Sequence, residues 1–235
     1  REGVQWHKGY GELTSEDVKY SLERVMDPTV GSSRSSNFKF VESVEAKDKY
    51  TVVIKLKKPN PSFALYLVAE GATGLAIVKK EAIEGSGDDV SKLVGTGPFQ
   101  LDSYTPGESV ILVKHSDYFR GEPKLDRIEK YIMRDLAARE VAMDTGEIHL
   151  SYGEPDGLWI DNRRQNQDLV IETSGLPMTW SVHLNTSIKP LDDIRIRQAI
   201  AHAIDYDQIV QMLGDEIAKP MTSIFSDNVY GHVNI

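Results

Sequence analysis

The run from His183 to Val210, HLNTSIKPLDDIRIRQAIAHAIDYDQIV, constrains the fold more tightly than any other part of the chain. It predicts a strand, a connector broken by Pro190, an acid-capped amphipathic helix and a second capped helix. Asp192 or Asp193 can cap the first helix, because a short carboxylate accepts from N–H groups that lack intrahelical partners. Ile196, Ala199, Ile200, Ala203 and Ile204 recur at spacings of three and four and define one apolar face. Asp205, followed three residues later by Gln208, repeats the capping pattern, and Gly214 is a natural stop.

Upstream, Thr14 predicts the start of a helix whose buried stripe is Val18, Leu22 and Val25, with Leu13 and Val18 as a hydrophobic staple. Asp27-Pro28 ends it. Residues 31–37 form a polar loop. Val44 to Leu56 predicts a hairpin turning at Lys47-Asp48-Lys49. Ser62 caps a short helix carrying Phe63, Tyr66 and Leu67, and GATGLAIVKKEAI predicts a loop, a short strand and a short helix. A second hairpin runs over Phe99–Tyr104 and Val110–Lys114 around Thr105-Pro106-Gly107. Ile128–Met133 predicts a strand, and Ala137, Ala138, Val141 and Ala142 line a helix ended by Gly146. Short strands are expected at 148–151, 169–172 and 178–184. Helices and strands mix without strict βαβ alternation, and no repeat of 20–50 residues is visible.

Composition removes several functions. The 235 residues carry a formal charge of −9 and no cysteine. Nucleic-acid binding needs clustered Lys and Arg, which an acidic chain disfavours. Disulfides, thiolate metal sites and cysteine nucleophiles are excluded within the chain. No apolar run reaches the roughly 20 residues a membrane span requires. The opening REGVQWHKG reads as the middle of a strand in a longer protein, so the lack of a leader carries no weight.

The chemical motifs point away from catalysis. Gly95-Thr96-Gly97 is followed by Pro98 and a strand, whereas a phosphate-binding loop opens a helix; the glycines suit a tight crossing between lobes. The six histidines, His7, His115, His149, His183, His202 and His232, include no pair four apart, so a metal site is not expected. Of the carboxylates Glu154, Asp156, Asp192, Asp193, Asp205 and Asp207, four read as caps or helix-start charges. Glu154-Pro155-Asp156-Gly157 reads as a turn. No nucleophile elbow or triad signature occurs. Met178, Trp180, Val182 and Leu184 share one face of their strand, which suits either core packing or the wall of a ligand pocket.

Five blocks occur in order: EGVQWHKGYGELTSEDVKYSLERV, VGTGPFQLDSY, HSDYFRGEPKLDRI, GEIHL after a helix, and PLDDIRIRQAIAHAID. Together they resemble the extracellular solute-binding protein family 5 of ABC transporters, whose members bind dipeptides, oligopeptides, nickel complexes and related solutes. The first block departs from the usual H-D-G-T-P-L-T, reading His7-Lys8-Gly9-Tyr10-Gly11-Glu12-Leu13-Thr14, one residue longer. Family chains are also much longer, which marks this one as a central fragment.

The resemblance implies an α/β fold, a periplasmic binding protein-like, class II, two-lobe clamp of which mainly the first lobe is present. Residues 1–94 would be a partial accessory subdomain of that lobe, 95–188 its central sheet region, and 189–235 the hinge crossing and the start of the second lobe. It implies a periplasmic or extracellular receptor that delivers a small solute to a membrane permease. A peptide comes first, with a nickel chelate, a sugar or an opine-like compound behind it. No cofactor and no enzymatic activity are implied. The implied ligand-binding positions are Thr73, Thr96, Gly97, Tyr152, Gly153, Glu154, Met178 and Trp180. The alternatives are a sensing or chaperone receptor of the same fold and a hydrolase using the acidic cluster.

Overall fold

A computed structural model describes the chain except for residues 69–74, 86–88, 173–179, 215, 222 and 224–235. The chain divides into two compact units, Arg1–Met133 and Arg134–Ile235.

In the first unit, α1 (Ser15–Met26) starts where expected. The Thr14 N–H donates to Asp17 Oδ2 at 2.9 Å, so the third helical residue turns back to hold the cap. The helix packs on an antiparallel hairpin of β1 (Val41–Asp48) and β2 (Thr51–Leu56), in which Val44 faces Ile54. The turn lies at Lys49–Tyr50, one step beyond the expected place, because Asp48 Oδ1 accepts from Tyr50 N–H at 2.9 Å and closes it. Leu22, Phe38, Val41, Val44 and Phe63 form the core, with Val18, Val25, Val52, Ile54 and Leu56 packed around them. The Phe38 and Phe63 rings meet edge to face at 6.3 Å. Two short helices, α2 (Phe63–Val68) and α3 (Lys80–Glu84), follow. Leu75–Lys79, expected as a strand, has no ladder partner, although Val78 N–H donates to the Ser21 hydroxyl.

A three-stranded antiparallel sheet completes this unit, ordered β3 (Phe99–Thr105), β4 (Ser109–Lys114), β5 (Arg127–Tyr131). The β3–β4 turn passes through Gly107 at φ 77°, a left-handed backbone that glycine adopts without steric penalty. The opening segment is not a ladder strand; it forms one antiparallel bridge, Gln5 to Glu12. Glu12 is held down to about 2 by hydrogen bonds from Lys49 first, then the Gly3 N–H and Tyr50.

The second unit is helical in its described residues: α4 (Leu136–Asp144), α5 (Gly157–Arg163), α6 (Ile194–Ala203) and α7 (Tyr206–Leu213). An aspartate caps each one, Asp135, Asp156, Asp193 and Asp205, by accepting a backbone N–H of its first turn. Arg163 grips Asp144 through both terminal nitrogens, at 2.9 and 2.6 Å, which ties α5 to α4. The Lys189–Pro190 peptide is cis.

The strands expected at 148–151 and 169–172, and the described part of 178–184, are not formed. These segments carry no ladder pairing, and a strand exists only through its partner. Helix α5 follows directly on the expected turn at Glu154–Gly157, in a stretch for which no element was expected.

Leu22 is fully buried in the first core. Leu22→Ala should lower unfolding free energy by about 2–5 kcal/mol, read from urea denaturation of the wild type and variant.

Candidate functional site

The Gly95–Gly97 crossing is built by two histidines distant in sequence. The His7 N–H donates to Gly95 O at 2.9 Å, and the Gly95 N–H donates back to His7 Nδ1 at 3.1 Å. His7 Nε2 lies 2.9 Å from Gly97 O, and His115 Nδ1 lies 3.2 Å from the same oxygen. The partners assign the protons. Nδ1 of His7 must accept from an amide, so Nε2–H donates, while a carbonyl oxygen can only accept. The two imidazoles touch edge to face at 4.8 Å, and both residues are buried. His115 is placed by β4, its own N–H donating to Pro98 O at 2.9 Å. Burial pushes the His7 imidazole below its ordinary value; the Gly97 carbonyl opposes this, and His115 and Lys8 reinforce it.

Lys8 continues the clamp in a left-handed conformation at φ 55°. Its N–H donates to Gln100 Oε1 at 3.2 Å, and its ammonium donates to Ser91 O at 2.9 Å. A Cβ on Gly95 would come to 3.4 Å from His7 Cε1, an ordinary contact. Thr96 and Gly97 are half-buried beside the histidines.

In the second unit, Tyr152-Gly153-Glu154 lies between α4 and α5 in sequence. The Trp159 indole crosses directly over Gly153. A Cβ there would fall 2.3 Å from Trp159 Cη2, so position 153 has no room for a side chain. The indole Nε1 donates to Glu140 Oε1 at 2.5 Å. The preceding residue of α4, Arg139, reaches Glu154 at 3.5 Å, and its Nε is buried with no hydrogen-bond partner among the described residues. Consecutive residues of one helix therefore hold the indole over Gly153 and the Glu154 carboxylate. Tyr152 stands clear, 90% exposed.

Trp180 is 78% exposed and Val182 is exposed with it, so these two are not packed in a core, while Leu184 on the same expected face is half-buried. Ser181 Oγ and His183 Nε2 lie 3.0 Å apart on the exposed surface. Thr73 and Met178 lie outside the described residues. Thr96 and Gly97 belong to the first unit; Tyr152, Gly153, Glu154 and Trp180 belong to the second.

Four of the six candidate carboxylates have structural partners or caps. Asp156, Asp193 and Asp205 cap helices, Asp207 sits in the first turn of α7, and Glu154 pairs with Arg139. No cluster of three or more His, Cys, Asp or Glu side chains suited to a metal ion occurs among the described residues. The His7–His115 pair and the Trp159–Glu140 bond had no local signal, since their partners are far apart in the chain. The Asp156 cap followed by Trp159, Ile160 and Arg163 was the available sign of α5.

The whole chain, residues 1–235, matches the bacterial extracellular solute-binding proteins, family 5, middle region, and it belongs to that family. It is 29% identical over 232 residues to the glutathione-binding protein GsiB of Escherichia coli K12, covering 97% of this chain and 44% of that protein. In fold it is similar to MoaA of A. tumefaciens R10, solved with mannopinic acid, with a TM-score of 0.77 and 36% identity over 92% of this chain and 43% of the other. It is also similar to Helicobacter pylori DppA, solved with the peptide STSA, with a TM-score of 0.79 and 28% identity over 99% of this chain and 49% of the other. The chain thus spans less than half the length of these relatives.

Gly153→Ala should force the indole or α5 aside and lower stability by about 1–3 kcal/mol, read as a reduced denaturant midpoint. Tyr152→Ala should change the midpoint by less than about 0.5 kcal/mol equivalent, because the side chain is exposed.

Proposed function

We propose that the protein is the solute-capturing component of an ABC transporter, holding a peptide or a similar small solute outside the cytoplasmic membrane and presenting it to the permease. The observation that carries this reading is the unbroken family match over residues 1–235. Two relatives whose names or solved complexes involve peptides, GsiB with glutathione and DppA with STSA, put a peptide first. The 36% identity with MoaA, solved with mannopinic acid, favours an opine-like solute as the second reading. A nickel chelate or a sugar stands behind both. An acidic site for hydrolysis is disfavoured, since Asp156, Asp193 and Asp205 are committed to helix caps.

Within this reading, residues 1–94 are the partial accessory subdomain of the first lobe, 95–188 its central region, and 189–235 the hinge crossing and the start of the second lobe. The ligand-facing places are the Thr73 loop, Thr96 and Gly97, the Tyr152–Glu154 turn, and Met178 with Trp180. Exposed Tyr152 and Trp180 offer flat amphipathic surface to a solute. Closure of the clamp follows from the solute's preference for the closed state, because equal affinity for both states shifts nothing. No helix among the described residues is long and apolar enough to cross a membrane, which is compatible with a receptor that acts beside a separate permease.

Calorimetry of the intact protein against glutathione, the tetrapeptide Ser-Thr-Ser-Ala, mannopinic acid and nickel–histidine tests the proposal. A dissociation constant of about 1 μM or tighter for a peptide, with the peptide recovered uncleaved, is the expected result. Trp180→Ala should weaken that binding about tenfold, roughly 1.4 kcal/mol, with little change in Tm. Cleavage of the peptide, or no binding of any of the four by folded protein, would overturn it.

A further inference from the structure

Both ring nitrogens and the backbone N–H of His7 are engaged, and all three contacts go to the same short segment. Its N–H and Nε2–H donate to Gly95 O and Gly97 O, and its Nδ1 accepts from Gly95 N–H. Only the neutral ring with its proton on Nε2 satisfies this set. A second proton, on Nδ1, converts the acceptor into a donor and sets two N–H groups against each other. The site offers the new charge little compensation. The Gly97 carbonyl favours it, but burial opposes it more strongly, and the ionisable groups acting on it, His115 just after β4 and Lys8, the next residue, both oppose it as well. The crossing itself, Val94-Gly95-Thr96-Gly97-Pro98, has no ionisable side chain.

We propose that protonation of His7 releases the Gly95–Gly97 segment and thereby lowers affinity for the solute, so that acid makes the receptor let go of its cargo. This rests on the reading above that puts Thr96 and Gly97 at the solute. The sign follows from the neutral ring being the native one. Burial, with help from His115 and Lys8, holds His7 below its ordinary value against the pull of the Gly97 carbonyl. The native contacts are therefore complete above about pH 6.5 and are lost as pH falls through the lowered value. His115 meets Gly97 O only as a donor, whereas His7 must accept from the Gly95 N–H, so the acceptor that a proton would remove belongs to His7.

The deciding experiment is a pH titration of the intact protein from about 7.5 to about 4.5, followed by NMR of 15N-labelled histidine and backbone amides. His7 should begin as the Nε2–H tautomer and titrate with a midpoint below about 6.5. The Gly95 amide should shift with that midpoint, and its protection from hydrogen exchange should fall about tenfold or more. A His7 that stays neutral until global unfolding, or one that titrates without moving Gly95, overturns the proposal. His7→Asn keeps an accepting oxygen for Gly95 and has no proton to gain, so its Gly95 amide should hold throughout; the wild-type titration decides the question even if this variant does not fold. Affinity for glutathione and for Ser-Thr-Ser-Ala, measured across the same window, should fall about tenfold in the wild type. A released Gly95 with unchanged affinity would overturn the loss of cargo and the placement of Thr96 and Gly97 at the solute, and would leave only the acid-driven release of the Gly95–Gly97 segment standing.

Discussion

Two adjacent residues near the start of the chain hold the first unit together. Trp6 is buried, with its indole Nε1 3.4 Å from Asp17 Oδ2, while His7 is clamped to Gly95 and Gly97. One dipeptide thus joins the helix α1 to the crossing that leads into the three-stranded sheet. Asp17 is the other end of this brace. It is buried, and the Lys79 ammonium lies 3.0 Å from its second oxygen. A carboxylate in such a place is tolerable only when donors replace its lost water, and the Thr14 N–H, the indole and Lys79 do so. Removing one donor would strand the charge, whereas the pair itself adds little stability over an apolar substitute. Its contribution is to fix where α1, the opening segment and the residues before α3 meet.

What the sequence made legible was local. The Thr14, Asp193 and Asp205 caps, the Gly107 turn, the Gly146 stop and the stripe Val18, Leu22, Val25 all depend on neighbours within a few residues, and all appear in the structure. The strands expected at 148–151, 169–172 and 178–184 depended on something else. Alternation of apolar and polar residues states which face a strand would bury, not whether a partner lies alongside. Exposed Val170, Trp180 and Val182 show that pattern without its partner. The site was legible only through family resemblance. Neither the His7–His115 contact nor the Trp159 indole over Gly153 could be foreseen from spacing, because each depends on tertiary packing.

The family assignment and the chemistry of the described residues point the same way. Of the acids that could have suggested hydrolysis, Asp156, Asp193 and Asp205 cap helix N-termini and Glu154 meets the Arg139 guanidinium. Tyr152 and Trp180 are aromatic and exposed. A molecule meant to hold a solute and release it intact needs shaped surface and hydrogen-bonding backbone more than a tuned acid and base.

The support beneath Gly153 divides the labour within one short turn. Because the Trp159 ring fills the space a side chain would take, that position is fixed by sterics, and the ring is fixed in turn by Glu140. Its neighbour Tyr152 owes nothing to the packing below. A lineage could therefore exchange the outward residue freely while the seat on which it rides stays unchanged.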